Sequence, residues 1–350
     1  MKILIVRLSA LGDIVHALPV LSAIRRVVPD AEVDWLVEES YAAILSIATG
    51  LRRRVIVRAS RSWEAPDAVS FGGALGYVQA ITYLRSQRYD AALDLQGLIK
   101  SAMWARLSGS ARVVGFDAAH LREPQASALY TEAVVPPEGA HVIHKNLAVL
   151  SALNIGDPPV EITLAPPADA VVTAAVDDAG GAGHYVVINP GAAWPNKRWP
   201  PDRFGALAAT LLKRTGLRSL VSWGPAERDL AGAVVAASAG AASLAPPTSV
   251  PDLAILMRHA ALAIAGDTGP LHIAAAMGTP LVGLYGPTWP ERNGPWDPHD
   301  VVISRADVCV CHHKRQCLRG APCINEITLD EVIAACEARL RQRIERQAPS

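Results

Sequence analysis

Twice along this chain, short apolar runs of strand length alternate with segments whose apolar residues recur at helical spacing, and one stretch rich in Pro and Gly separates the two series. In the first series Lys2 to Val6 is a strand-like run, closed by the turn Ser9-Ala10-Leu11-Gly12-Asp13. Ile14, Leu18, Leu21 and Ile24 then repeat at helical intervals, ending in Arg25 and Arg26, which suit a helix C-terminus. Val33 to Val37, Tyr89 to Leu95 and Val113 to Gly115 read as further strands, and Ile99 to Leu107 as a helix. Residues 155–183 break the rhythm with Gly156-Asp157-Pro158-Pro159, Pro166-Pro167 and Gly180-Gly181. The second series has strands at Tyr185 to Ile188, Leu217 to Ser222, Ala260 to Ala265 and Leu281 to Tyr285. Helices are expected at Asp202 to Arg214 and Pro270 to Met277. Alternation of this kind specifies α/β architecture, a parallel sheet covered by helices on both faces.

The expected organisation is therefore two doubly wound, Rossmann-like domains. They occupy residues 1–165 and 184–327, joined by a linker at 166–183, and a charged amphipathic helix within 328–350 is a candidate for crossing back to the first domain. A chain of 350 residues is too long for one ordinary core, which agrees. With 51% hydrophobic and 19% charged residues it is not a disordered chain. Its formal net charge of zero gives no global attraction to nucleic acid, so none is expected as a partner. Arg7 and Asp13 interrupt the apolar start, no small-residue cleavage site follows, and no apolar stretch of ~18 residues occurs, so a cytoplasmic protein is expected.

In open α/β sheets ligands bind outside the carboxyl ends of the strands, and each candidate motif falls at such an end. Asp13, after the first strand, reads either as a helix cap or as a general base. No Gly-x-Gly-x-x-Gly accompanies it, which argues against a nicotinamide cofactor. Asn189 to Pro200 is a stiff loop carrying Lys197 and Arg198, either a solvated basic turn or a pair of phosphate ligands. Gly266-Asp267-Thr268-Gly269-Pro270-Leu271-His272 opens a helix whose backbone N–H groups suit an anion. Asp267 would repel phosphate there, so its expected role is to accept from sugar hydroxyls. Glu227 reads as a helix N-terminal acid or as an acceptor for two ribose hydroxyls. Tyr285-Gly286-Pro287-Thr288 adds further backbone donors.

No Asp-x-Asp pair is present to hold a divalent cation on a diphosphate, so Lys197 and helix N-termini are expected to neutralise it, with no metal or cofactor. Arg52, Arg53, Arg54, Arg58 and Arg61 form a basic run with no acid between Ser40 and Trp63. It is either a solvated face or a docking site for an anionic acceptor or acidic headgroups, with Lys100, Arg122 and Lys145 as partners. Five cysteines include Cys309, Cys311, Cys317 and Cys323, which with His312 and His313 have zinc-ligand chemistry but not the spacing of a standard finger. Free thiols in a compact loop are the alternative.

Taken together, several segments resemble glycosyltransferase family 9, the ADP-heptose:lipopolysaccharide heptosyltransferases of the GT-B fold. They are Ile3 to Ser9 with Leu11-Gly12-Asp13, Trp35 to Glu39, Asp94 to Ser101, Arg122-Glu123-Pro124, Lys197 to Pro200, Trp223-Gly224, and Gly266 to Gly269 with His272. The Gln-Gly-Leu-x-Lys-Ser and Arg-Glu-Pro pieces look most like the heptosyltransferase I branch. The resemblance implies two domains facing across a cleft, acceptor-binding first and nucleotide-sugar-binding second. It implies inverting, metal-independent transfer of heptose from ADP-L-glycero-D-manno-heptose to the Kdo region of a Kdo2-lipid A type acceptor. The implied location is the cytoplasmic face of the inner membrane. Asp13 would be the base; Lys197 would meet the donor diphosphate, Glu227 the ribose, and Asp267, Thr268, Gly269 and His272 the donor's sugar and phosphates. Arg61, Lys100 and Arg122 would face the acceptor. Two departures bear on the sugar and acceptor. Ala192-Ala193 stands where some members of that branch carry Thr-Thr, and the cysteine-rich segment after residue 308 looks more like other branches. Transfer within the family to a different heptose acceptor or of another sugar, and a non-catalytic nucleotide-sugar binding scaffold, are the alternative readings.

Overall fold

The protein is described from a computed structural model that covers residues 1–312, 314–317 and 319–347. It divides into two compact units, Met1–Ala165 and Pro166–Ser350.

The first unit contains β1 (Lys2–Val6), α1 (Leu11–Val15), α2 (Leu18–Val27), β2 (Glu32–Glu38), β3 (Arg53–Ala59), β4 (Trp63–Ala65) and β5 (Ala68–Gly72). It continues with α3 (Gly76–Gln87), β6 (Ala91–Asp94), α4 (Ile99–Leu107), β7 (Arg112–Phe116), β8 (Glu132–Val134) and α5 (Val142–Ala148). The strands form one eight-stranded sheet ordered β4-β5-β3-β2-β1-β6-β7-β8, parallel except where β4 pairs antiparallel with β5. The helical pattern from Ile14 to Arg26 is split into α1 and α2. Pro19, which lacks an N–H, sits in the first turn of α2, where that loss costs nothing.

The first three residues of the basic run, Arg52 to Arg54, are engaged within the fold. They stand at the start of β3, and their guanidinium groups meet carboxylates. Arg52 Nε donates to the fully buried Asp34 at 2.8 Å, which also accepts from the Tyr89 hydroxyl at 2.6 Å. Arg53 pairs with Glu64 and Arg54 with Asp67. These three arginines, with no acid beside them in sequence, are thus neutralised by acids from other segments.

The second unit contains α6 (Ala170–Asp178), β9 (Tyr185–Asn189), α7 (Pro201–Thr215), β10 (Arg218–Val221), α8 (Arg228–Ala237), β11 (Ala242–Leu244) and α9 (Val250–His259). After these come β12 (Leu262–Gly266), α10 (Gly269–Ala276), β13 (Leu281–Tyr285), α11 (Pro290–Asn293), β14 (Val301–Ser304) and α12 (Leu329–Gln347). Its six strands are all parallel, ordered β11-β10-β9-β12-β13-β14. α6 lies where the linker was expected. Asp169 starts it by accepting from the N–H groups of Val171 and Val172, both at 2.9 Å. α12, the candidate for crossing to the first domain, packs on α7, β13 and β14 of its own unit. Cys336 and Val332 on its inner face are buried in the same cluster as Phe204, Leu207 and Val282.

The order β3-β2-β1-β6-β7-β8 in one unit and β11-β10-β9-β12-β13-β14 in the other are the same topology. Each sheet reverses its winding once, between β1 and β6 and between β9 and β12. In such sheets the crevice for a ligand opens at that reversal.

Candidate active site

At the β1/β6 reversal the chain leaves β1 through Arg7, whose side chain is buried. Trp35, fully buried, pins this point by donating its indole N–H to the Arg7 carbonyl at 3.2 Å. The Arg7 guanidinium donates through Nη1 to the Leu95 carbonyl and through Nη2 meets Asp13 Oδ2 at 2.9 Å. The Ala10 N–H also approaches that oxygen, at 3.4 Å. Asp13 is therefore inside the first turn of α1 rather than its cap, with Ala10 in the cap position. It is held through one oxygen, and 43% of its side chain stays exposed. An anchored yet accessible carboxylate can accept a proton from a hydroxyl.

The Asp94 to Ser101 segment proves to be the scaffold of the neighbouring loop. Asp94, fully buried, accepts from the Gln96 and Gly97 N–H groups at 2.9 and 3.3 Å, from Ser101 Oγ at 2.9 Å and from the Tyr130 hydroxyl at 2.8 Å. Burial pushes its carboxyl above the ordinary value although these bonds pull it down. Gln96, so ordered, accepts the Leu8 N–H at 2.8 Å and ties the β6 loop to the β1 loop.

The acceptor candidates are only partly gathered. Lys100 Nζ lies 2.6 Å from Glu38 Oε1, which Arg58 also approaches at 3.4 Å. Glu123 accepts the Ile99 N–H at 2.7 Å, so the loop of the exposed Arg122 is tied to the start of α4 beside Lys100. Arg61 is exposed. Gly72 lets its loop close on β5, since a Cβ there would lie 2.3 Å from the Ala59 carbonyl oxygen.

At the β9/β12 reversal of the second unit the arrangement is denser. The Lys197 loop is pinned from below by Trp199, which is buried, packs edge-on to Phe204 and donates to the Ile327 carbonyl at 3.0 Å. Arg198, expected to share in phosphate binding, instead braces its own loop by donating to the Ala192 carbonyl at 2.8 Å. Lys197 Nζ stands 4.8 Å over the Trp194 ring and 2.5 Å from Asp267 Oδ2. Gly266 is required at this crossing, because a Cβ would lie 2.8 Å from the Lys197 carbonyl oxygen.

Asp267 is the centre of this site. Thr288 Oγ1 donates to its Oδ2 at 2.7 Å, Asn293 Nδ2 to its Oδ1 at 3.1 Å, and His272 Nε2 lies 3.4 Å from Oδ1. With Lys197 that makes four side chains on two oxygens, in a residue 7% exposed. Burial alone would raise this carboxyl. The His272 hydrogen bond and the Lys197 charge outweigh burial and hold it well below the usual carboxylate range. A carboxylate so committed holds its neighbours in place. His272 is likewise buried, so its influence on a ligand passes through Asp267.

The start of α10 offers fewer donors than expected. Pro270 has no N–H, and the Leu271 and His272 N–H groups approach the Thr268 carbonyl at 3.1 and 3.4 Å. Thr268, in the cap position with extended backbone, turns its hydroxyl to the Gly266 carbonyl at 3.2 Å. The Gly269 N–H and the helix dipole are what this terminus presents to an anion. Glu227 accepts the Gly224 N–H at 3.1 Å and folds over Gly191, where a Cβ would lie 2.1 Å from its Oε2. That close fit joins the loops after β9 and β10.

Sequence reading missed Arg7, Trp194 and Asn293, and took Thr288 only for its backbone. Arg7 and Trp194 stood inside recognised segments. Asn293, at the end of the four-residue α11, carries no pattern that points to Asp267, 26 positions away.

The cysteines come together. Cys309, Cys311 and Cys323 are buried with Cys317 against them, and the first two sulfurs are 3.7 Å apart. All are free thiols. Burial, with hydrogen bonding to Cys309, pushes Cys323 up to about 12, so it is a neutral thiol near pH 7. Among the described residues no group of three or more His, Cys, Asp or Glu side chains is arranged to hold a metal ion, and His313 lies outside those residues. No helix among them is long and apolar enough to cross a membrane.

Comparison with known proteins gives a consistent picture. The family model "Glycosyltransferase family 9 (heptosyltransferase)" matches residues 78–321. The chain is 32% identical to lipopolysaccharide heptosyltransferase 1 of Pseudomonas aeruginosa over 91% of its length and 87% of that protein. It is 28% identical to lipopolysaccharide heptosyltransferase 3 of Escherichia coli K12 over 94% and 95%. Among solved structures, the E. coli heptosyltransferase WaaC with ADP-2-deoxy-2-fluoro heptose superposes with a TM-score of 0.73 at 25% identity, covering 99% of this chain and 100% of the other. With the strand orders above, this places the fold in the GT-B class, built from two Rossmann-like domains.

Proposed function

The chain belongs to glycosyltransferase family 9, and we propose that it transfers a heptose from ADP-L-glycero-D-manno-heptose to the Kdo region of a Kdo2-lipid A type acceptor. The observation that carries this reading is the pairing of roles at the two sheet reversals. One offers an anchored, exposed carboxylate, and the other a caged lysine beside a helix N-terminus. The likeness to lipopolysaccharide heptosyltransferase 1 and to WaaC with a fluorinated ADP-heptose supports the choice of donor and acceptor.

In this mechanism Asp13 removes the proton from an acceptor hydroxyl as its oxygen attacks the anomeric carbon. A new C–O bond forms with inversion. The bond to the donor phosphate breaks, and its electron pair leaves on ADP. Lys197 and the start of α10, at Thr268 and Gly269, stabilise the charge that develops on the diphosphate, so no metal is assigned. Glu227 accepts from the ribose hydroxyls. Asp267 and His272 hold Lys197 in place as positioning residues, a different task from direct sugar recognition. Lys100, Arg122 and Arg61 meet the anionic acceptor, and the reaction takes place at the cytoplasmic face of the inner membrane.

The test is mass analysis of Kdo2-lipid A incubated with ADP-heptose and the protein, with and without EDTA. One added heptose per acceptor, unaffected by EDTA, is expected. No product overturns the assignment, and loss of product in EDTA overturns the metal-free route. Heptosylation only of an acceptor that already carries heptose favours the alternative of a family 9 transferase for a different heptose acceptor. Its grounds are the match to heptosyltransferase 3 and the cysteine-rich segment.

A further inference from the structure

Two neighbouring helices of the first unit present a surface that the transfer reaction does not use. α3 and α4 lie side by side on one face of the sheet. Ala80 and Leu84 of the first and Trp104 and Ala105 of the second are buried in one cluster. Tyr77 stacks on Trp104 with ring centroids 5.7 Å apart. Helices in such a layer ordinarily turn polar side chains to water. Here the outward side chains include Leu75, 65% exposed, Val78, 62% exposed, and Met103, 48% exposed, with Tyr77 and Ile99 beside them. Scattered exposed apolar residues need no explanation, but a set gathered on two adjacent helices marks a docking surface.

The charge of the same surface is one-sided. Residues 68–89 and 95–116, which contain both helices, include no Asp or Glu. Arg85, Arg88, Lys100 and Arg106 are exposed along them. Carboxylates that reach these helices from elsewhere are engaged: Glu38 with Lys100 and Arg58, Glu123 with the Ile99 N–H, and Glu64 with Arg53 beside Tyr83. A cavity of about 190 Å³ opens beside the start of α3, walled by Phe71, Tyr77 and Trp104 with the Arg58 residue at its edge. Large apolar side chains flanked by arginine and lysine, on helices that carry no carboxylate of their own, match the composition of a helix that lies in a membrane interface. An anionic leaflet supplies both the apolar depth and the negative charge such a face demands.

We propose that the α3–α4 face docks the protein onto an anionic phospholipid bilayer. Leu75, Val78 and Met103 enter the boundary between headgroups and acyl chains, and Arg85, Arg88 and Arg106 meet lipid phosphates. The arginine stems lie along the apolar surface while their heads reach the charge. The inference deepens the assignment of a lipid-linked acceptor and rests on it for its purpose. Membrane binding is nonetheless measured without any sugar transfer, so the two can fail separately.

The experiment is cosedimentation of the full chain with phosphatidylcholine vesicles, with and without phosphatidylglycerol. Wild type should bind the anionic vesicles about tenfold or more tightly than the neutral ones, and less so in high salt. Val78→Glu/Met103→Glu should lose about tenfold or more of that binding, and Arg106→Glu a smaller part. Both variants should keep the wild-type melting temperature and the rate on a soluble, delipidated acceptor. The proposal is overturned if wild type does not bind anionic vesicles, or if the double variant binds as well as wild type. It is also overturned if wild type forms a dimer that the double variant abolishes, since a second copy would then cover the face. Vesicle binding without transfer would keep the docking surface and overturn the assignment of function.

Discussion

The β1/β6 and β9/β12 reversals occupy the same place in sheets of the same strand order, yet their carboxylates are handled in opposite ways. Asp13 is tied by the buried Arg7 through one oxygen and is otherwise open to solvent. Asp267 is buried under Lys197, Thr288, Asn293 and His272. In the proposed mechanism the first takes a proton from the acceptor, while the second fixes the lysine that meets the donor. Equal topology thus gives a crevice at each reversal, but the side chains lining it decide between a reactive group and a rigid support.

The strongest way to break this comparison is Asp13→Asn, which removes the basic carboxylate but leaves the buried Arg7 guanidinium an amide oxygen to bond. The proton acceptor disappears from a half-exposed position, so kcat should fall about 10³-fold. Donor affinity, measured by ADP-heptose titration, and the melting temperature should stay near wild type. A large loss of stability would mean that Asp13 is a structural carboxylate like Asp267, and the contrast would collapse. Near-normal turnover would remove the base.

Asp267→Asn should show the reverse pattern. It keeps shape but takes away the charge that Lys197 and His272 meet in a buried site, and should cost about 3 kcal/mol of stability. Weakened donor binding should accompany it, seen as a rise in donor KM larger than the fall in kcat. The pH dependence carries a definite sign. A carboxyl held below its unfolded value binds its proton less tightly in the folded chain, so it stabilises the fold above about pH 4 and loses that contribution as the solution is acidified further. Thermal unfolding across that window should be steeper in pH for wild type than for Asp267→Asn. Parallel curves would show that the buried network is not what sets the acid sensitivity.

The two reversals also differ in how far sequence alone revealed them. The strands β1, β9, β12 and β13 and the loops that follow them were legible, because apolar runs ending in Gly, Asp or Thr have few other meanings. Asp13, Lys197 and Asp267 could be found for the same reason. The contacts that define their roles could not. Arg7 looked like an interruption in an apolar run, and its burial depends on Trp35, from β2, and Leu95, after β6. The acids that neutralise Arg52, Arg53 and Arg54 come from three other segments. β3, β5 and α3 escaped notice because charge in one and glycines in the others blurred the period. Local pattern reports where a strand ends; which distant side chain will meet the residue there is settled by tertiary packing.

Thr288→Val is the finest test of that point. It removes one hydroxyl from Asp267 Oδ2 while keeping volume, and Lys197, Asn293 and His272 remain. Loss of a single hydrogen bond from a network with other donors should cost about 1 kcal/mol and raise the donor KM a few-fold, with kcat nearly unchanged. Combined with Lys197→Met, the two effects should not add, because both act through the same carboxylate oxygen. Additive effects would mean that Thr288 contacts the donor itself. The site at β9/β12 would then be a set of independent ligands, and Asp267 would lose the central place that distinguishes it from Asp13.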